Sequence, residues 1–234
     1  MKTSTLLVQD VEVTVVRKSV KNINLAIYPP DGRVRISAPQ HFSDELIRSV
    51  VISRLSWIKT RQASLLARPL QKAREMASGE RHLFFGRELA LVVIERTGGG
   101  ASVTIEDDKI VLSVQPKTTV SRKYEILSEW YREQLRIRIP VLLKKWQPVI
   151  GVEIREWRIR RMKSRWGTCN ISDKRIWLNL ELARMSPACL EYVLVHELVH
   201  LLERFHNKRF WGFMDAFLPG WRNIREELKQ QSLA

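Results

Sequence analysis

Between Val193 and Leu202 the chain is apolar at seven positions and polar only at His196, Glu197 and His200. A helix that is apolar nearly all round belongs in an interior, so this segment fixes where the core of the fold must lie. The three polar residues need partners there, because an unpaired buried charge is costly. On a helix His196 and His200 project from one face, ~6 Å apart along the axis. That spacing lets two imidazoles grip one zinc ion at Zn–N distances of ~2.0–2.1 Å, with Glu197 placed to polarise a water on it. Histidines that merely hydrogen-bond within a core would leave three polar groups to be satisfied separately, whereas one metal satisfies them together. The expectation is a metal-dependent hydrolase.

His206 is the expected third ligand, and it needs a bend. Six residues past His200 on a straight helix it would lie ~9 Å further along and about 120° round, out of reach of the same ion. The chain must therefore leave the helix between about Glu203 and His206. Metzincin proteases place a glycine three residues after the second histidine for that turn; Glu203 stands there in this chain. Asn207, which tolerates left-handed geometry, is a candidate helix stop. Glu203 is a competing ligand, with His206 favoured. A fourth position left to water would make the site catalytic.

The 234 residues fit one large domain or two small ones, and 44% hydrophobic residues supply a core. Met1–Val20 has no long apolar run behind a basic start, so no secretory signal is expected. No stretch approaches the ~18 apolar residues of a membrane helix. The expected localisation is cytoplasmic, with no membrane partner. The two cysteines, Cys169 and Cys189, form no CxxC pair and indicate no disulfide framework. A net charge of +15 exceeds what solubility requires. It implies attraction to nucleic acid, to another polyanion or to acidic substrates, or else a basic surface with no specific partner.

Along the chain, Val11, Val13 and Val15, then Ile23, Leu25 and Ile27, then Val34, Ile36 and Ala38 alternate with polar residues. They predict a small antiparallel meander with a turn at Pro29-Pro30-Asp31-Gly32. Ser43 is a predicted N-cap for one helix running to about Leu66. A second β region spans Phe84–Ile94, with Gly98-Gly99-Gly100 as a hairpin loop, and Val103–Ile105 and Ile110–Leu112 flank a turn at Asp107-Asp108. A long helix follows from about Thr118, which Pro140 should kink and Pro148 should end. Gly151–Arg161 reads as a strand with Trp157 and Ile159 on one face and Arg158 and Arg160 on the other. Ile176–Leu180 reads as a buried strand, Ser186 with Pro187 as the start of the histidine-bearing helix, and two further helical segments begin near Asn207 and after Pro219-Gly220.

Several stretches together resemble the YgjP-like metallopeptidase family, itself related in motif to SprT-like and WLM zinc peptidases. They are Lys163–Cys169, Ile176–Asn179, Pro187, Tyr192–His200 and His206–Trp211. The segments Phe85–Leu89, Val34–Pro39 and Trp57-Ile58 extend the likeness, more loosely, over most of the chain. The resemblance implies that His196, His200 and His206 bind one Zn²⁺ ion and that Glu197 is the general base. It implies an α+β fold: a minimal zincin-like catalytic domain with a mixed sheet over the HExxH helix, preceded by an N-terminal β-meander and helix. The expected division is an N-terminal β-rich portion with one long helix over 1–116 and the catalytic core over 117–234, the two able to form one continuous domain. The substrate, a peptide or protein, is expected to pair with an edge strand, either Trp177–Leu180 or Arg165–Cys169.

The expected function is thus hydrolysis of peptide bonds by a zinc metallopeptidase. Arg165, Asn179 and Tyr192 are candidates for substrate or transition-state contacts, each equally able to be structural. Carboxylates that orient the histidines are expected, with Glu203 and Asp215 as candidates. Two other readings use the same residues: a metal-dependent nucleotide phosphoanhydride hydrolase, which no phosphate-cradling glycine loop supports, and a nucleic-acid-associated binding protein with a non-catalytic zinc site. The latter rests on Arg155, Arg158, Arg160, Arg161, Lys163 and Arg165.

Overall fold

The computed structural model describes residues 2–28, 31–66 and 75–230; the expected turn at Pro29-Pro30 lies outside them. The chain divides into two compact units, Met1–Ala73 and Arg74–Ala234. Among the described residues there are six α-helices and three small sheets, an α+β composition.

The first unit holds β1 (Lys2–Val8), β2 (Val11–Arg17), β3 (Asn24–Tyr28) and β4 (Arg33–Ala38) in the order β1-β2-β4-β3. The strand at Lys2–Val8 was not expected. Nor is the sheet a meander: β2 and β4 run parallel, Val13 opposite Val34 and Val15 opposite Ile36. Alternation marks which residues face a core but says nothing about which strand pairs with which. The single helix expected after Ser43 is two, α1 (Asp44–Ser53) and α2 (Leu55–Leu66), broken at Arg54, whose amide turns back to the carbonyl of Val51. Ser43 caps α1 as expected, accepting from the amide of Leu46. Val13, Val15, Ile36, Ile47, Val51 and Ile58 are fully buried together, so this unit has its own core.

The second unit opens with β5 (Arg81–Phe84), β6 (Arg87–Glu95), β7 (Ser102–Glu106) and β8 (Lys109–Val114), ordered β5-β6-β8-β7. The triple glycine therefore joins two strands that are not neighbours, because β6 pairs in parallel with β8 rather than folding back on β7. The helix α3 (Val120–Ile150) runs through both Pro140 and Pro148 and stops only at Gly151, in a left-handed cap. Leu89, Leu91, Ile110 and Leu112 share one buried cluster with Leu127, Leu135 and the residues of the histidine helix. A boundary at 116/117 would cut through that core; the break lies earlier, between 73 and 74.

β9 (Glu156–Arg160), β10 (Gly167–Asn170) and β11 (Arg175–Asn179) form a sheet ordered β10-β11-β9, with β11 antiparallel to β10 and parallel to β9. β11 is thus central, and of the two candidate edges only the segment containing β10 is one. A 3-10 turn, Leu180–Arg184, leads into α4 (Pro187–Val199), which carries His196 and Glu197. Ser186 caps α4 by accepting from the amide of Cys189, with Pro187 in its first turn. α4 packs against α3, β10, β11, α5 (Lys208–Phe217) and α6 (Trp221–Gln230). This all-round enclosure is what its apolar surface requires.

Candidate functional site

The regular hydrogen bonding of α4 ends at Val199, sooner than the interval from Glu203 to His206. His200 is the C-cap, and the amides of Leu201 and Leu202 bond to Leu198 and Val199 at 3.0 and 2.9 Å in a tightened turn. The His200 ring helps to hold this ending: its Nδ1 lies 3.2 Å from the carbonyl oxygen of Glu203. Asn207 does not stop α4 in a left-handed conformation. It is extended and caps α5, accepting from the amide of Phe210 at 3.0 Å. Between the two helices the chain reverses and brings His206 back over the end of α4.

The donor nitrogens of His196, His200 and His206 lie within 4.8 Å of one another. Nε2 of His206 is 2.9 Å from Nε2 of His196. Two facing imidazole nitrogens need a proton or a cation between them. Burial lowers the basicity of all three rings, with neighbouring positive charge adding to it: His196 falls to about 3, and His200 and His206 fall below their ordinary value. The rings are therefore neutral at pH 7, the form that binds a metal. A Nδ1–H of His200 donated to the Glu203 carbonyl leaves Nε2 as the free donor. The donor set fits one divalent ion with imidazole preference, zinc among them.

Glu203 does not join the cluster. Its carboxylate accepts from the amide of Phe205 at 3.2 Å and lies 3.7 Å from Arg209, so it orients His200 through its main chain instead. Asp215, the other carboxylate considered for orientation, is engaged by Trp221 and Arg222 and makes no hydrogen bond to a histidine.

Glu197 is 5% exposed, and burial pushes its carboxyl up to about 8, against the opposing charge of Arg165. It lies against the backbone of β10: a Cβ added at Gly167 would come within 2.6 Å of its Oε1, 2.8 Å of its Cγ and 2.9 Å of Val193 Cγ1. No side chain fits between strand and carboxylate. The sequence offered a sign of this, since an isolated glycine in a strand marks close backbone approach.

Of the three contact candidates, Arg165 is exposed and its charge reaches Glu197. Tyr192 is 6% exposed, its ring parallel to that of Trp221 at 6.2 Å and its centroid 5.8 Å from His196. Desolvation raises its phenol to about 12, so it stays neutral. Asn179 is fully buried and fully used. Its Nδ2 donates to the carbonyls of Met162 and Arg165 at 2.8 and 2.7 Å, and its Oδ1 accepts from the amides of Met162 and Glu181. It has no capacity left for a ligand and instead fixes the loop that carries Arg165.

Three residues not named as site candidates from the sequence build a stack beside the cluster. The ring of Trp211 stacks on His206 at 5.4 Å and 19°, and its Nε1 donates to the His206 carbonyl. Trp221 stacks on Trp211 at 4.7 Å and 11°. The Arg225 guanidinium lies over both indoles, 5.1 and 5.8 Å from their centroids. Their positions depend on how α5 and α6 fold back on α4, which no local spacing encodes.

An α+β chain with this cluster and a buried glutamate beside it falls in the class of metal-dependent hydrolases, as a metallopeptidase. It belongs to the YgjP-like family, whose metallopeptidase domain matches residues 21–231. Among solved structures, the crystal structure of the metallopeptidase zymogen of Pyrococcus abyssi abylysin is similar at 22% identity and a TM-score of 0.37, over 41% of this chain and 99% of that one. No curated protein matches the chain. Among the described residues no helix is long and apolar enough to cross a membrane.

Proposed function

We propose that the chain hydrolyses peptide bonds, with His196, His200 and His206 holding one zinc ion and Glu197 as general base. The observation that carries this reading is the return of His206, from outside α4, to a point 2.9 Å from His196. A helix pair of histidines is common enough; a third imidazole brought by a chain reversal to face one of them nitrogen to nitrogen is not what packing alone requires. When bound, the ion would polarise the scissile carbonyl, bring the pKa of a water near ~7 and hold Glu197 ionised.

Glu197 then takes the proton of the attacking water and delivers it to the leaving amine nitrogen. Its burial keeps bulk water from competing for that proton. An extended substrate adds to the open edge of β10, which brings its backbone alongside the Glu197 carboxyl that Gly167 admits. Arg165, held at its carbonyl by Asn179, bears its charge on the same carboxyl and favours its ionised form.

The test is metal analysis beside an activity assay. Wild type should carry one equivalent of zinc, and His200→Ala and His206→Ala should each lose it. Glu197→Gln should keep the ion while cleavage of casein or of fluorogenic peptides falls by at least ~10²-fold. Full zinc occupancy in His206→Ala refutes the ligand set. Turnover of nucleoside triphosphates but of no peptide, abolished in Glu197→Gln, refutes the substrate.

A further inference from the structure

Arg225 is a cation held by rings rather than by an anion. It stands one helical turn after Trp221 in α6, half-buried, with its guanidinium over Trp221 and Trp211. Among the described residues no carboxylate lies within ion-pair distance of it and no acceptor takes its hydrogen bonds. Its neighbour Arg222 shows the ordinary alternative: that guanidinium also lies over Trp221, at 4.6 Å, but is neutralised by both oxygens of Asp215. Arg184 and Arg161 are likewise paired with Glu181 and Arg209 with Glu203, whereas Arg138, Arg160 and Arg204 lie over rings with no ion pair among the described residues; of these ring-held cations, Arg225 is the one over a ring stacked on His206.

The position makes the missing partner informative. Trp211, one of the rings under Arg225, is stacked on His206. A fixed cation beside a cluster built for a dication is electrostatically unfavourable unless an anion enters between them. A guanidinium held over rings keeps N–H donors that no described acceptor uses, and these match a carboxylate in bidentate geometry.

We propose that Arg225 binds a carboxylate of the substrate beside the bond being cleaved, and so makes the site selective for peptides that place a carboxylate there. This rests on the reading of the chain as a peptidase. Arg225 acts on specificity: it holds one substrate group and takes no part in proton transfer. The carboxylate belongs either to an aspartate or glutamate side chain or to the peptide's own C-terminus, and the two sources are separable by experiment.

The test uses full-length protein, zinc-free wild type and zinc-loaded Glu197→Gln, titrated calorimetrically at constant ionic strength. Three octapeptides are compared: one with a central Glu and an amidated end, one with Gln and an amidated end, and one with Gln and a free carboxylate. One of the two carboxylate peptides should bind about 10–100-fold more tightly than the amidated Gln peptide, and which one identifies the source. Arg225→Met should remove the difference. Arg225→Lys, which keeps the charge and the side-chain bulk, should retain part of it because the fork is lost. Zinc content should be unchanged in both. Equal binding of all three peptides by wild type, no binding of any, or a preference that survives in Arg225→Met overturns the proposal. Peptide cleavage without carboxylate preference refutes the role of Arg225 and leaves the peptidase reading standing. Arg225-dependent binding without cleavage of any peptide does the reverse.

Discussion

Replacing Gly167 by alanine tests whether the strand positions the glutamate. The backbone at Gly167 lies outside the left-handed region, so alanine is acceptable there in itself. The conflict is with α4. The new methyl would lie 2.6 Å from Glu197 Oε1, 2.8 Å from Glu197 Cγ and 2.9 Å from Val193 Cγ1. Against a contact optimum that begins near ~3.5 Å, these are short by about 0.6–0.9 Å. Val193 and Glu197 are one turn apart on the same face of α4, so rotating one side chain leaves the other clash. Relief requires β10 to retreat by most of an ångström or Glu197 to leave its rotamer. Overpacking of this kind costs about 1–3 kcal/mol of stability. Misplacing a catalytic group by about 1 Å costs on the order of 10²-fold in rate.

Gly167→Ala should therefore unfold at a lower urea concentration with an unchanged slope, keep its zinc, since none of the three atoms it meets belongs to a histidine, and lose roughly two orders of magnitude in kcat/KM on a fluorogenic peptide. Combined with Glu197→Gln, it should cost little further activity, because both changes remove the same function. A Gly167→Ala protein of full stability that cleaves within threefold of wild type would refute the idea that the β10 backbone fixes the carboxyl. So would a loss that adds in full to that of Glu197→Gln.

Three further outcomes follow from the same geometry. Asn179→Leu removes four hydrogen bonds and leaves two carbonyls and two amides unpaired around 162–165 and 181; stability should fall by about 2–4 kcal/mol in urea titration, and an unchanged midpoint would show that water replaces the side chain. Ser186→Ala deletes the cap of α4 and should cost about 1 kcal/mol, read from the same titration with zinc bound. Burial pushes the Cys169 and Cys189 thiols up to about 12 and about 11; since the thiolate is the reactive form and its population falls tenfold for each unit by which the pKa exceeds the pH, at pH 8 Cys189 should react with Ellman's reagent on the order of a hundredfold, and Cys169 on the order of a thousandfold, more slowly in native than in guanidinium-unfolded protein. Fast reaction of either thiol in the native state would show that its surroundings are open to water.

The site divides into a part that sequence spacing encodes and a part that it does not, and the division is physical. His196, Glu197 and His200 are legible because helix geometry relates residues four apart whatever the surroundings, and because the apolar run around them demands burial. The need for a bend before His206 is legible for the same reason, but its place is not: the helix yields at His200 through side-chain and main-chain hydrogen bonds that need the folded turn. Asn179 reads from sequence as a polar group free to meet a ligand, whereas the fold surrounds it with the loop at 162–165 and uses every one of its bonds. The parallel pairings of β2 with β4 and of β6 with β8 are hidden likewise, since alternation assigns faces and not neighbours. Arg225 is the sharpest instance. In sequence it is one basic residue among forty, on an amphipathic C-terminal helix. Only the packing of α5 and α6 against α4 carries it onto the indoles beside His206. What sets it beside the cluster is its place over a ring that stacks on His206, with no described anionic partner, and that can be read only once the neighbours are in place.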